Sequence, residues 1–415
     1  MSSTVTVVGG VNGNALSGLI SVPLTGVTST AQAALQSALT AISNQVSAGT
    51  VSFTNVDQVT GATALITGTS ATGGLFVISD QQFPGSAPTG ASSTGSYNVG
   101  SAFSTVVVEA PGTETVNASN NNGQTFVLGA TSNVNLFTGT GTGSVIAAGG
   151  NDTLNLQGTQ SAVLSAGDVR VKTYSGSSTV VATGSSSVFA SVVKGYAGSM
   201  DFVNNSAGSV LVAGNSGSLT VFGGAGGGHF TGGTAGNNLL IAGSGAAVLV
   251  GAGNGDVLDA GFNADGVTAS PTVNGTNYLY AGSGNETLQA SSATGSNLFL
   301  AGAGVDVISS GGSGNQFFFG SSGSATMTGS TVTGAVNVYF FGSATGNTGG
   351  NDVITDFNLN TDKLFAVDGT NITSVTGSAV NGTPGVLVSL SDGTQITMQG
   401  ITVAQASVYA GGSFI

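Results

Sequence analysis

Residues 277–289 read Asn-Tyr-Leu-Tyr-Ala-Gly-Ser-Gly-Asn-Glu-Thr-Leu-Gln, and residues 297–309 read Asn-Leu-Phe-Leu-Ala-Gly-Ala-Gly-Val-Asp-Val-Ile-Ser. In both stretches a polar residue stands two positions before an apolar residue, and the pair recurs nine residues later. From about residue 101 onward, short apolar runs recur every nine or ten residues, with Gly, Ser, Asn and Thr between them. Such a short period is typical of a stacked solenoid, in which every coil buries its neighbour's face. The sequence therefore predicts an all-β fold, a parallel β-solenoid.

The composition supports a folded chain. Gly accounts for 71 of the 415 residues and Pro for only 6, while 40% of the residues are hydrophobic and 5% are charged. A disordered chain would carry more charge and fewer apolar side chains. The low Pro count also separates this sequence from Pro-rich low-complexity chains. We therefore expect one long repeat structure that buries its apolar runs.

The charge balance argues against two classes of partner. The net charge is −13, and the four basic residues form no basic cluster in the sequence. Nucleic-acid binding depends on neutralising phosphates with Lys and Arg, so it is not expected. No apolar run approaches the roughly 18 residues of a transmembrane helix, so membrane insertion is not expected either.

Residues 1–100 differ from the rest of the chain. Between about 29 and 48, apolar residues recur at helical spacing on one face. This spacing predicts one amphipathic helix, and short strands are expected around 51–53, 64–66 and 75–78. The region is thus predicted to be a small N-terminal α/β cap. Its helix either covers the open end of the solenoid, as terminal caps do, or docks on a neighbouring subunit.

The second half of the chain carries a family resemblance. Gly282-Ser-Gly-Asn-Glu-Thr-Leu288 and Gly302-Ala-Gly-Val-Asp-Val-Ile308 resemble the nonapeptide of RTX (hemolysin-type) proteins, Gly-Gly-x-Gly-x-Asp-x-U-x, in which U is a large apolar residue. Residues 350–364, Gly-Asn-Asp-Val-Ile-Thr-Asp-Phe-Asn-Leu-Asn-Thr-Asp-Lys-Leu, resemble the segment that closes RTX domains in type I-secreted proteins. The resemblance covers about 235–365, whereas 101–235 shares only the periodicity.

The resemblance implies a β-roll-like solenoid and an order of domains. The solenoid is expected over 101–357, RTX-like from about 235, and a C-terminal cap with the secretion signal over 358–415. Proteins of this family leave the cell in one step through such an uncleaved C-terminal signal. The resemblance therefore implies an extracellular or cell-surface protein that is exported without an N-terminal signal peptide.

The resemblance also implies calcium as a cofactor, at a few sites. Two nonapeptides make one turn of a β-roll, so residues about 18 apart stack on one side. One such stack holds neutral amides, which do not offset the charge of a divalent cation; its predicted members are Asn238, Asn277, Asn297, Asn315 and Asn337. The other stack is acidic, with Ala325 where one acid is due. The calcium ligands implied on that side are Asp256, Glu286, Asp306, Asp352 and Asp356.

Residues beside the inward positions of the amide stack should point outward. They form a predicted apolar and aromatic stripe, and such stripes mark interfaces on soluble proteins. The stripe either serves self-association or packs beneath a loop or the N-terminal region. Its predicted members are Ile241, Tyr280, Leu300, Phe318 and Phe340.

Residues suited to catalysis are sparse, and no enzymatic activity is expected. His229 is the only histidine and cysteine is absent, which excludes a His-based zinc protease motif and a Cys nucleophile. Asp256 and Asp259 occupy repeat positions, so they are interpreted as turn residues rather than as a catalytic pair.

These patterns predict a secreted structural protein that self-assembles into extracellular filaments, a surface layer (S-layer) or a biofilm matrix. The alternative is an adhesin or carbohydrate-binding solenoid, with Tyr278 and Tyr280 as stacking platforms and a cell-surface polysaccharide as partner. Ice binding is a third candidate, for which Thr138–Thr142 is the only dense Thr cluster. Negatively stained images would separate filaments or sheets from single rods.

Overall fold

The structure is a computed structural model. It describes residues 4–11, 14–23, 53–57, 63–66, 74–79, 93–101, 103–108, 112–119, 123–130, 132–224, 227–242, 245, 247–259, 277–282, 284–290, 296–342, 349–367, 369–380 and 382–410. Up to residue 94 it describes the backbone alone. The helix predicted at about 29–48 lies outside the described residues.

Two compact units divide the chain, residues 1–212 (unit 1) and 213–415 (unit 2). The described strands of unit 1 are β1 (Thr4–Val11), β2 (Asn14–Pro23), β3 (Phe53–Asp57), β4 (Thr63–Ile66), β5 (Gly74–Ser79), β6 (Ser93–Val99), β7 (Phe103–Val108), β8 (Gly112–Asn117), β9 (Thr125–Leu128), β10 (Asn133–Phe137), β11 (Thr142–Ala147), β12 (Thr153–Gln157), β13 (Thr159–Leu164), β14 (Asp168–Ser175), β15 (Ser177–Gly184), β16 (Ser187–Val192) and β17 (Ser199–Ser206). Strand β18 (Val210–Asn215) contains the boundary between the units.

Unit 1 is built from two parallel sheets. After the antiparallel hairpin β1–β2, the odd-numbered strands β3 to β17 pair in parallel in one sheet. The even-numbered strands β4 to β16 pair in parallel in the other. The register advances by one coil at a time: Leu136 faces Leu154, and Leu154 faces Val171. Parallel pairing of strands one coil apart is the geometry of a solenoid.

Unit 2 repeats this plan and ends in an antiparallel cap. Its odd-numbered strands β19 to β31 form one parallel sheet, and β20 to β32 form the other. In the cap, β35 pairs in parallel with β31 and antiparallel with β34, which in turn pairs antiparallel with β33. The bounds are β19 (Ser218–Phe222), β20 (Gly228–Gly233), β21 (Leu239–Ile241), β22 (Ala247–Val250), β23 (Val257–Asp259), β24 (Asn277–Tyr280), β25 (Thr287–Ala290), β26 (Asn297–Leu300), β27 (Val305–Ser310), β28 (Gln316–Phe319), β29 (Ser324–Thr328), β30 (Asn337–Phe341), β31 (Asn351–Ile354), β32 (Lys363–Ala366), β33 (Ile372–Val380), β34 (Thr383–Leu390), β35 (Gln395–Gln399) and the helix α1 (Val403–Ala410).

The core of each unit lies between its two sheets. Successive side chains of a strand point to opposite faces, and burial alternates along β26 accordingly. In unit 2 the ring of Phe318 stacks on Phe299 with centroids 5.1 Å apart and on Tyr339 at 4.7 Å. Burying one such side chain stabilises the fold by roughly 2 kcal/mol. The inward ladder of the even-numbered sheet consists of Leu249, Leu279, Phe299, Phe318, Tyr339 and Leu364.

Two glycines show why the turns are rich in this residue. Gly150 has a φ of +80°, which side chains disfavour, and a Cβ there would overlap the Ser132 carbonyl. A Cβ on Gly304 would overlap the carbonyl oxygen of Gly284 in the preceding coil. Coils therefore touch backbone to backbone at these turns.

The predicted parallel β-solenoid is confirmed. Parallel pairing already includes β3 and β4, upstream of the solenoid start predicted at residue 101. Strands β33 to β35 and helix α1 occupy the region predicted as a C-terminal cap, 358–415.

Candidate functional site

A column of mainly acidic side chains follows one edge of unit 2, at the start of the odd-numbered strands. The strand register places Asp306 beside Ala325 and carries the column in both directions. Asn238 belongs to this column and not to the amide stack, because Leu239 pairs with Val257 in the odd-numbered sheet. The members in order are Asn238, Asp256, Glu286, Asp306, Ala325 and Asp352.

The carboxylates of the column are buried and accept backbone hydrogen bonds. One oxygen of Asp256 accepts the amide of Asn238 at 3.0 Å, and the other accepts the amides of Ala252 at 2.9 Å and Gly253 at 3.1 Å. Asp256 therefore joins its own turn to the preceding coil, and Asp306 does the same. Charge-assisted hydrogen bonds of this kind are the strong ones.

Ala325 has no carboxylate, and Asp352 of the next coil accepts hydrogen bonds in its place. Asp352 accepts the amide of Ala325 at 2.8 Å and the amide of Ser321 at 3.0 Å. Ser321 stands four residues before Ala325, as Ala252 stands four residues before Asp256. Asp352 thus binds the amide of the preceding column member and also the amide of Ser321, which an acid at position 325 would otherwise bind.

The implied calcium ligands use most of their carboxylate oxygens to accept hydrogen bonds. Calcium needs six to eight oxygen ligands, yet nearly all carboxylate oxygens of these five residues accept hydrogen bonds. Within the described residues, only Glu286 Oε2 and Asp356 Oδ2 among them accept none. Nor do three or more His, Cys, Asp or Glu side chains of the described part converge on one point. These carboxylate oxygens are placed to accept hydrogen bonds from turn amides rather than to surround a metal ion.

Burial changes the ionisation of the column. The pKa of Glu286 is raised to about 8, first by burial, then by its hydrogen bond with Asp306 and by the charges of Asp306 and Asp256. Burial raises the pKa of Asp352 to about 6 despite its hydrogen bonds from Ser321 and Ala325. Loss of solvation favours the neutral form of a carboxyl, so the column carries less negative charge than its composition suggests.

Asp152 of unit 1 is a buried acid that was not predicted. Asp152 accepts the amide of Val134 at 2.8 Å, and burial raises its pKa to about 7. The sequence contains a signal for it, because residues 149–154, Gly-Gly-Asn-Asp-Thr-Leu, repeat the pattern of residues 349–354, Gly-Gly-Asn-Asp-Val-Ile. The nonapeptide pattern therefore also marks Asp152, although residues 101–235 share only the periodicity of the RTX repeats.

The even-numbered strands of unit 2 begin with a ladder of amide side chains. Asn277 donates to Asn297 at 3.0 Å, and Asn297 donates to Gln316 at 2.9 Å. Asn337 follows in register and donates to the Asp362 carboxylate at 3.1 Å. All five side chains are buried, so the ladder satisfies polar groups that would otherwise be costly inside the coil.

The register of β28 differs by one residue from the prediction. Gln316 occupies the ladder position and Asn315 is exposed. As a result Phe318 points inward with no exposed surface, and Phe317 and Phe319 point outward. A shift of one residue moves every side chain of a strand to the other face, so the predicted outward position of Phe318 is wrong.

The outward position predicted for Ile241 is also wrong. Its side chain is only 3% exposed. Strand β21 has three residues and belongs to the odd-numbered sheet, and it ends at Ile241, where the alternation of faces stops.

An aromatic stripe does run along the outer face of the even-numbered sheet of unit 2. Phe340 stacks on Phe319 with ring centroids 4.9 Å apart and on Phe365 at 5.5 Å. In the neighbouring column, Tyr278 is 38% exposed and lies parallel to Tyr280, with centroids 6.5 Å apart. The aromatic stripe consists of Val250, Tyr280, Leu300, Phe319, Phe340 and Phe365, all half-buried.

The remaining candidates for chemistry are separate from one another. His229 is exposed on β20, beside Val248 of β22. Asp259 is buried at the end of β23, where burial raises its pKa to about 7. Among the described residues, neither adjoins a second group that would make it a nucleophile or a general base.

Comparison with known protein families, with curated proteins and with solved structures gives no match to this chain. Within the described residues, no helix is long and apolar enough to cross a membrane. The geometry of the two units is therefore the basis for any functional assignment.

Proposed function

We propose that this protein is a secreted structural protein that assembles with itself outside the cell, through the aromatic stripe of unit 2. The stacked, half-buried rings of Phe319, Phe340 and Phe365 are the observation that carries the proposal. Apolar surface of this kind is stabilised when water is removed from it.

The chemistry of the stripe favours a second copy of the chain as its occupant. It contains no charged side chain, and in the described column beside it Lys363 is the only one. Neighbouring strands repeat about every 4.8 Å, so the same face of another copy offers ridges and grooves at the same spacing. Two such faces match without the directional polar groups that a small ligand requires.

The test compares the assembly state of matched variants. The double variant Phe319→Ser/Phe340→Ser removes two stacked rings, and Val305→Ser/Val307→Ser removes two exposed apolar side chains from the outer face of β27. We expect light scattering and negative-stain images to show filaments or sheets for the wild type and the β27 variant, and smaller species for the double phenylalanine variant. A wild type that stays a monodisperse monomer would contradict the proposal.

Export is the second part of the proposal. The resemblance of residues 350–364 to the closing segment of type I-secreted proteins supports a route through the C-terminal region, 358–415. Expression of the full chain with and without a type I exporter tests it, with cell fractionation as the readout. The protein should reach the medium or the cell surface only when the exporter is present, and equal export without one would contradict this route.

A carbohydrate-binding adhesin is the alternative function. The parallel rings of Tyr278 and Tyr280 favour it, because adjacent aromatic faces can stack on sugar rings. Binding of neutral oligosaccharides that is lost in Tyr278→Ala, in a protein that does not assemble, would favour the adhesin over the structural protein.

A further inference from the structure

Three of the four basic residues of the chain lie close together in unit 1, although the protein carries 17 acidic residues. Arg170 and Lys172 point outward from β14, on alternate positions with buried Val169, Val171 and Thr173. Lys194 lies in the turn after β16 and is exposed. The fourth cation, Lys363, lies in unit 2.

Two contacts bring Lys194 to the end of β14. The amide of Val193 donates to the carbonyl of Thr173 at 2.8 Å. The ring of Tyr196 meets that of Tyr174 edge to face, with centroids 5.1 Å apart. The three cations and two tyrosines therefore share one edge of the outer face, which we call the basic face.

A groove of about 560 Å³ adjoins the basic face. Arg170 lines it and pairs in the sheet with Phe189, whose ring is 43% exposed. Asp168 lies on β14 at the end remote from Lys172, so positive charge is concentrated toward Lys172 and Lys194. The other charged side chains that line the groove are Asp152 and Asp168.

Among the described residues, the three cations have no ion-pair partner. Arg170, Lys172 and Lys194 form no ion pair with any residue that the structure describes. The described part of a second copy offers few carboxylates to match them, because eight of its twelve acidic side chains are buried. These eight are Glu114, Asp152, Asp256, Asp259, Glu286, Asp306, Asp352 and Asp362.

We propose that the basic face binds an acidic polysaccharide, with Arg170, Lys172 and Lys194 holding its carboxylates and Tyr196 and Phe189 contacting its sugar rings. Guanidinium and ammonium groups bind carboxylates through charge-assisted hydrogen bonds. Exposed rings supply flat apolar contact beside them. Arg170 and Lys172 lie two residues apart on β14, about 6.7 Å along the strand, and Lys194 lies beside the end of that strand, so the three cations form a short row for an extended polyanion. The site shares no residue with the aromatic stripe and does not depend on self-assembly.

The experiment measures binding of the full chain to polygalacturonate, in the presence of EGTA so that calcium cannot bridge carboxylates. Fully methyl-esterified polygalacturonate has the same backbone without the charge and is the control ligand. The variant Arg170→Gln/Lys172→Gln/Lys194→Gln tests the site, and Lys363→Gln is the matched control. Circular dichroism and melting confirm that these surface substitutions leave the fold intact.

We expect the wild type and Lys363→Gln to bind polygalacturonate equally, and the ester to bind weakly. The triple variant should lose roughly tenfold or more in affinity, because three exposed charge pairs of modest strength disappear together. Wild-type binding should also weaken as salt is added. Equal binding of the ester, wild-type affinity in the triple variant, or an equal loss in Lys363→Gln would overturn the proposal.

The same samples separate this site from the proposed self-association. Light scattering of the triple variant should match the wild type, and Phe319→Ser/Phe340→Ser should bind polygalacturonate normally. If the triple variant fails to assemble and the wild type does not bind the polymer, the basic face contacts a second copy of the chain and the glycan proposal is wrong.

Discussion

The carboxylate of Asp306 accepts a hydrogen bond from the backbone amide of Glu286 at 3.1 Å, across twenty residues of sequence. Its second oxygen accepts the amide of Gly302 in its own turn at 2.7 Å. One side chain therefore closes a turn and ties it to the preceding coil. A buried amide that loses its acceptor carries the full penalty of desolvation, so the column of acids contributes to stability out of proportion to its size.

Removing this acceptor should destabilise unit 2. Asp306→Ala leaves two amides without their acceptor, at about 1–3 kcal/mol each, so we expect the free energy of unfolding to fall by about 3 kcal/mol. Asp306→Asn keeps one acceptor oxygen, so it should lower the free energy of unfolding by less. The control Asp201→Ala changes an exposed acid on β17 and should stay within about 0.5 kcal/mol. Chemical denaturation measures all three, and equal costs for Asp306→Ala and Asp201→Ala would contradict the structural role.

Stability should fall as the pH rises from about 5 to 8.5. Burial raises the pKa of Glu286 to about 8 and those of Glu114, Asp152 and Asp259 to about 7. A carboxyl whose pKa is higher folded than unfolded binds its proton more tightly in the folded state. Its contribution is complete below the unfolded pKa of about 4 and is lost as the pH passes the folded pKa.

Urea denaturation at both ends of this range is the measurement. The midpoint should be lower at the alkaline end, and Glu286→Gln, which cannot ionise, should reduce the difference. The exposed-site control Asp168→Asn should keep the wild-type difference. A midpoint that rises with pH would show that the buried acids are ionised in the folded state.

Folding should not require calcium. Hydrogen bonds already occupy most oxygens of Asp256, Asp306 and Asp352, so the turns are closed without a metal ion. We expect the same melting temperature in EGTA and in millimolar calcium, with magnesium as a control for ionic strength. A rise in melting temperature that is specific to calcium and absent in Asp306→Asn would show that these carboxylates rearrange around the ion.

Replacing either of two adjacent phenylalanines should lower the free energy of unfolding by very different amounts. Phe318 is fully buried between Phe299 and Tyr339, so Phe318→Ala should cost about 3–5 kcal/mol. Phe319 is half-buried on the outer face, and Phe319→Ala should cost only about 1 kcal/mol, from lost stacking on Phe340. Denaturation of the two variants checks the register of β28, and the reverse order of costs would contradict it.

The repeat pattern was sufficient for the architecture, because one coil resembles the next and every coil must bury its apolar position. The acidic column could be predicted for the same reason, since Glu286 and Asp306 hold equivalent places in two matching nonapeptides. The pattern misplaced residues where coils differ in length. Asn238 and Asn315 match the residue type of the amide stack, but pairing with the next coil assigns its position to Gln316 and moves Asn238 to the other sheet.

The sequence by itself determined that this chain winds into parallel coils, because a nine-residue alternation of apolar and turn residues has no other way to bury its apolar positions. It also indicated that acids recur at the turns. Only the tertiary structure decided what those acids do, since the amides they bind belong to the neighbouring coil. The tertiary structure likewise gathered Arg170, Lys172 and Lys194 on one face, because strands distant in sequence lie side by side once the coils stack.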